Sequence, residues 1–362
     1  MARLFTHPPG APLATKGNAK MAKNRKLNKS IAGLTGALAL SVLVLGAANA
    51  EIRNHNFKVA IAVAAGTAHY DGGAKFTELL GEKSGGKMKA KMFGSGTLGK
   101  DIAVVSSMQG GVIDMGIMNA NLLTGLIKDF GVLDFPFVFP SEEVAHKVLD
   151  GEWGAKLNDK LPEKGLVGLG FWEMGFINYH LGKRPIQKLD DIAGLKIRVT
   201  ETPLQIDFQN MLGANSVPIA FVELYTALEQ HTVDGGNQAF SNLRAAKLFE
   251  VQKYVSVTNH MYNPIMLLMS KKVYDKLNDD EKKALQEAAR EATVYQRQLA
   301  KKYNEESLEF LKTKLAVNVV PPEEIAKMKE KTKPLIEKYS KEYGEATAKN
   351  MLEAIEKASK AP

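Results

Sequence analysis

The chain alternates short apolar strands with amphipathic helical stretches. Phe57 to Val63 reads as a strand, and Asp71 to Lys83 as a helix with Phe76, Leu79 and Leu80 on one face. Met88 to Phe93 alternates and predicts a strand. A helix from Lys100 to Gln109 follows, then a short apolar strand, Asp114 to Met118. Leu166 to Phe171, Lys196 to Val199 and Val233 to Gly236 are further strand candidates. Strands separated by helices imply parallel pairing and an α/β fold with helices on both faces. The strongest helix begins at Asn278, a capping residue followed by Asp279, Asp280 and Glu281, whose negative charge suits a helix N-terminus. Its apolar stripe runs through Ala284, Leu285, Ala288, Ala289, Ala292, Tyr295, Leu299, Tyr303, Leu308 and Leu311. Such a helix of about 35 residues spans roughly 50 Å, more than one small domain, and predicts a bridge between two. The tail from Pro322 to Lys357 reads as charged helix interrupted at Pro334.

The first fifty residues follow a different pattern. A basic stretch, Lys20 to Lys29, precedes an apolar run from Ile31 to Ala48 that ends in Ala48-Asn49-Ala50. Basic end, apolar middle and small-x-small site are the layout of a secretory signal peptide, with a membrane anchor as the alternative. Residues 1–50 are therefore expected to be leader and signal, and Met21 is a plausible true start. Arg3, Lys16, Lys20, Lys23, Arg25, Lys26 and Lys29 lie in this stretch, which has no Asp or Glu. Of the 48 basic residues, 41 remain against 40 acidic ones after its removal, so the chain's +8 charge falls to +1. No electrostatic case for nucleic acid survives. Without cysteine the exported chain has no disulfides and must be held by its core.

Several motifs bear on chemistry. Gly94-Ser95-Gly96-Thr97-Leu98-Gly99 matches the dinucleotide pattern G-x-G-x-x-G between a strand and a helix, but the motif alone is weak and reads as a tight glycine turn, with a pyrophosphate site as the alternative. Ser84-Gly85-Gly86-Lys87 lacks the partner motifs of an S-x-x-K enzyme. His55, His69, His146, His180, His231 and His260 show no metal-ligand spacing. Trp172, at the end of an apolar strand, is either core or the wall of a ligand cleft. Arg198 projects from the short strand Gly194–Val199. A partly buried guanidinium needs a partner, either a structural carboxylate or the carboxylate of a ligand.

An ordered set of words then becomes specific: Gly194-Leu-Lys-Ile-Arg-Val199, Pro203-Leu204-Gln205, Leu212-Gly213-Ala214-Asn215, Pro218-Ile219-Ala220-Phe221, Glu223-Leu224-Tyr225-Thr226-Ala227-Leu228, Val233-Asp234-Gly235, Glu250-Val251-Gln252-Lys253-Tyr254 and Thr258-Asn259-His260. With Gly66-Thr67, Leu98-Gly99 and Leu133-Asp134-Phe135-Pro136-Phe137 upstream, the chain closely resembles the DctP-like solute-binding proteins of TRAP transporters over residues 55 to 345. The resemblance implies a two-domain periplasmic-binding-protein-like α/β fold, with crossing strands, a long bridging helix and a cleft that closes on ligand. We expect domain I from 51–174 plus 265–303 and domain II from 175–264 plus 304–362. It implies a monomeric periplasmic protein, not an enzyme and without cofactor, that hands a small organic acid to the small and large permease subunits. Arg198 matches the family arginine that pairs with the ligand carboxylate, and Phe221 a cleft-wall aromatic. Asn119, Trp172 and Gln238 fall at cleft-lining positions, Lys100 lies close to one, and His69 and Asn237 complete the expected substrate-binding set.

Two departures matter. Ile177 stands where many members carry a second arginine, and Asp234-Gly235-Gly236-Asn237-Gln238-Ala239 replaces Asp-Gly-Gln-Glu-Asn-Pro. One carboxylate with a less charged, hydroxylated or apolar remainder therefore fits better than a simple C4-dicarboxylate. A periplasmic sensor that presents a carboxylate to a receptor would use the same cleft, and an NAD-linked oxidoreductase using the glycine turn is the remaining alternative. N-terminal sequencing of the exported protein is expected to begin at Glu51. Residues 31–48 persisting in a membrane-bound product would overturn the signal-peptide reading.

Overall fold

The computed structural model describes residues 51–360; the expected leader, its cleavage site and the Met21 start lie outside them. The described order is β1 (His55–Ile61), α1 (Ala68–Lys83), β2 (Met88–Phe93), α2 (Asp101–Gly110), β3 (Met115–Asn119), α3 (Glu142–Leu149), α4 (Glu152–Asn158) and β4 (Leu166–Leu181). It continues through β5 (Lys196–Val199), α5 (Pro203–Leu212), β6 (Asn215–Pro218), α6 (Leu224–Glu229), β7 (Gly235–Gln238), α7 (Phe240–Ala245) and β8 (Tyr254–Ser270). The chain ends in α8 (Lys271–Tyr274), α9 (Asp279–Lys312), β9 (Ala316–Val319), α10 (Pro322–Tyr343) and α11 (Glu345–Lys360).

One mixed sheet runs in the order β2-β1-β3-β8-β4-β7-β5-β6, with β9 on β8. The β1, β2 and β3 strands pair in parallel at one end, and β5, β6 and β7 at the other. Between them the parallel pairing inferred from alternating strands and helices gives way to antiparallel pairs. Strands β4 and β8, 16 and 17 residues long, run antiparallel to each other through both ends. Their length was hidden in the sequence. Buried on both faces over most of its length, β8 lacks alternation and contains Pro264; Gly170 and Gly175 punctuate β4.

The register slips where the two strands cross from one lobe to the other. Glu173 faces Pro264, and the next paired residue on β4 is Gly175, facing Asn263. Met174 is the extra residue of this bulge, and Gly175 takes φ +96°, a conformation open to glycine. Pro264 brings no N–H to the ladder. Gln296 of α9 meets the need instead: its Oε1 accepts from Glu173 N–H at 3.0 Å and its Nε2 donates to Glu173 C=O at 2.7 Å.

Helix α9, at 34 residues, bears out the expected long bridge. Asn278 and Glu281 form a reciprocal capping box, and Glu281 also accepts from Arg53. The helix packs on α1 and on α7, which belong to opposite ends of the sheet, and on β4 between them. The close approach to α1 requires Gly72, where a Cβ would lie 2.6 Å from Gln296. The buried face departs from the predicted stripe after Ala292. It follows Gln296, Ala300, Ser307 and Leu311, and Tyr295 is exposed. Helix α10 passes through Pro334 without ending; the break comes at Gly344, with φ +129°. The tail then straps residues of both expected domains, α10 along α5 and the Lys128–Asp134 segment, α11 against α3 and α4.

Replacing Gln296 by leucine keeps the volume and adds an apolar group, yet orphans two buried backbone groups. Equilibrium urea unfolding is expected to show a loss of about 2–4 kcal/mol. Stability equal to wild type would mean the crossing does not depend on Gln296.

Candidate ligand-binding site

The cleft lies between the two ends of the sheet and offers about 590 Å³ of empty space, part of it open to solvent. One wall comes from β1 and its following loop, the start of α2, and the end of β3. The other comes from Arg198 of β5, Thr200, Glu201, Phe221 and Gln238. Met174, turned by the bulge, and Ile265 form the floor where β4 and β8 cross.

Arg198 is 2% exposed, and its strand neighbours on either side, Ile197 and Val199, are core. Its Nε donates to Ile219 O at 2.7 Å, which fixes the plane of the guanidinium. Among the described residues it forms no ion pair. Burial pulls it down to about 10, against the pull of Glu201 and Asp101, so it stays charged at neutral pH. A charged fork held by a short strand, without a bonded carboxylate of its own, is suited to a ligand carboxylate.

The remaining sequence-predicted residues divide by geometry. His69, Asn119, Phe221 and Gln238 line the cleft with Arg198. His69 is buried, and neither ring nitrogen has a hydrogen-bond partner. Burial pushes it down to about 4, so the ring is neutral and offers one donor and one acceptor. Asn237 does not line the cleft, because neighbouring strand residues face opposite ways and Gln238 takes the cleft side. Lys100 sits outside at the mouth, where its Nζ meets Glu223 Oε1 at 2.6 Å across the gap between lobes. Trp172 is fully buried between α1 and α9, with Nε1 donating to Thr293 Oγ1 at 2.9 Å. It is core, not wall. Ile177 is core as well, at 2% exposure. The sequence reading missed Asp101, Met174, Thr200, Glu201 and Asn242, all of which line the cleft. Asp101 adjoins Lys100 and Glu201 lies between two of the quoted words, whereas Met174 depends on a bulge marked locally only by the glycine that follows it.

The G-x-G-x-x-G segment is a mouth turn. Ser95, Gly96 and Gly99 all take positive φ, and a Cβ on Gly96 would come within 2.7 Å of Val222 from the opposite lobe. A pyrophosphate at the start of α2 would meet the Asp101 carboxylate, which removes the oxidoreductase reading.

These features define a two-lobed binding protein with its site at the crossing of two long strands. The family model for bacterial extracellular solute-binding protein, family 7 (DctP), matches residues 59–342, and the chain belongs to that family. It is 35% identical over 288 residues to the C4-dicarboxylate-binding periplasmic protein DctP of Rhodobacter capsulatus, covering 79% of this chain and 86% of that one. It is 37% identical over 238 residues to the 2,3-diketo-L-gulonate-binding periplasmic protein YiaO of Escherichia coli, covering 66% and 73%. The sugar acid binding protein DctPAm of Advenella mimigardefordensis, solved in complex with galactonate, superposes with a TM-score of 0.84 at 39% identity, covering 85% and 99%.

Trp172→Ala is expected to cost about 3–5 kcal/mol of stability, the range for emptying a buried aromatic site. Calorimetry on the folded fraction, with an acid that binds the wild-type protein, should leave affinity within threefold. A large loss of affinity at unchanged stability would return Trp172 to the site.

Proposed function

We propose that the protein captures a small organic acid in the periplasm, holds it by one carboxylate at Arg198, and delivers it to the two membrane subunits of a TRAP permease. The observation that carries this reading is the buried, charged Arg198, which pairs with no carboxylate of the described chain. The neutral polar set around it, His69, Asn119, Thr200, Gln238 and Asn242, suits a hydroxylated remainder. Ile177 supplies no second cation, so the geometry favours a sugar acid over a dicarboxylate, in keeping with the galactonate-bound and diketogulonate-binding relatives.

Two domains, 51–174 plus 265–303 and 175–264 plus 304–362, would close over the ligand. The bulge at Gly175 and Asn263 falls at that division and supports it. The Lys100–Glu223 pair and the seating of Val222 against Gly96 are the contacts such closure would make. Among the described residues no helix is long and apolar enough to cross a membrane.

A thermal-shift panel of sugar acids and C4-dicarboxylates identifies a ligand, and calorimetric titration with variants then tests the anchor. Arg198→Ala should weaken binding by about 2–5 kcal/mol, because the ligand carboxylate is left desolvated and unpaired. Arg198→Lys keeps the charge but loses the fork, and should also bind clearly more weakly. If Arg198→Ala lowers only the melting temperature, with affinity within about threefold, the arginine is structural.

A further inference from the structure

The cleft carries more negative charge than the capture of an anion requires. Arg198 is the cationic residue that lines it, Lys100 being engaged by Glu223 at the mouth, yet Asp101 and Glu201 line the same space. Asp101 is the first residue of α2 and is half-buried. Among the described residues its carboxylate makes no hydrogen bond or ion pair. Nearby, His69 is buried with both nitrogens unpartnered, and Asn242 Oδ1 is buried without a partner. An ionised carboxylate only accepts hydrogen bonds, so a ligand group that contacts Asp101 must donate to it. A hydroxyl does this and still accepts from a neighbouring amide or imidazole. A second ligand carboxylate cannot donate, and would face like charge in a site partly closed to water.

We propose that Asp101 is a specificity-determining residue that selects monoanionic, hydroxylated acids by accepting from a ligand hydroxyl and rejecting a second carboxylate. The inference rests on the reading of Arg198 as the carboxylate anchor. It explains why a cleft built around one cation also holds an unpaired acid.

The ionisable groups around Asp101 set how this discrimination varies with pH. Arg198 and Glu201 face it from the second lobe, His69 from α1 is neutral, and Lys100 beside it is paired with Glu223. Burial pushes Asp101 up to about 6, Arg198 opposes the shift, and Glu201 adds to it. The residue is thus charged at pH 7.5 and mostly protonated at pH 5. Rejection of a second carboxylate is present above about pH 6 and fades below it, while ligand carboxyls remain ionised at pH 5.

D-galactonate and galactarate test this, since they share a carbon chain and differ by a terminal CH2OH or carboxylate. At pH 7.5 the wild-type protein should bind galactonate at least tenfold more tightly by calorimetry. Asp101→Asn keeps the shape and removes the charge, and should raise the galactarate-to-galactonate affinity ratio at least tenfold. The wild-type ratio should also rise between pH 7.5 and pH 5, and stay flat in Asp101→Asn. A ratio within twofold of wild type in the variant, or one insensitive to pH in the wild-type protein, overturns the proposal. So does failure of the wild-type protein to bind either probe. If another acid binds through Arg198 while these outcomes fail, only the role of Asp101 falls. If no acid depends on Arg198, the carboxylate reading falls with it.

Discussion

The architecture depends on the pairing of β4 with β8. Among the described residues these two strands run through both ends of the sheet and join them into one. Their crossing contains a proline and a bulge, both of which interrupt a ladder. Gln296 compensates by bonding both backbone groups of Glu173, which accounts for a polar residue buried in the apolar face of α9. The long helix is therefore a splint for the crossing as well as a bridge. The same bulge aims Met174 into the cleft, so the device that lets the strands cross also shapes the floor of the site.

Around this crossing the site is built from groups whose charge state is set by burial. His69 is neutral, Arg198 stays cationic, and Asp101, pushed up to about 6, is charged at pH 7.5. The result is one buried cation among neutral donors and acceptors, with two acids, Asp101 and Glu201, lining the same space. Polar groups carried on strands and helix starts lose little on ordering, which suits a protein that must recognise a small hydrophilic solute. The glycine segment, expected as a tight turn with a phosphate cradle as the alternative, is a turn that lets the mouth of the two lobes meet at Gly96 and Val222.

The α/β class, the capped long helix and the arginine on its short strand are all legible in the linear chain. Each is written locally: in the period of apolar positions, in Asn278 followed by three acids, and in a guanidinium flanked by core residues. Family resemblance placed Phe221, Asn119, Gln238 and His69 in the cleft. Features that depend on segments far apart in the chain emerge only in the folded molecule. Strand β8 has no period because it is buried on both faces, so its length and antiparallel pairing could not be read. Trp172 and Asn237 sit in strands where a bulge or one step of register decides which face is the cleft, and local pattern does not specify that. Lys100 finds Glu223, 123 residues on, only when the lobes meet. Asp101, beside a position the sequence did mark, gains its meaning from burial opposite Arg198, and burial is a property of the assembled fold.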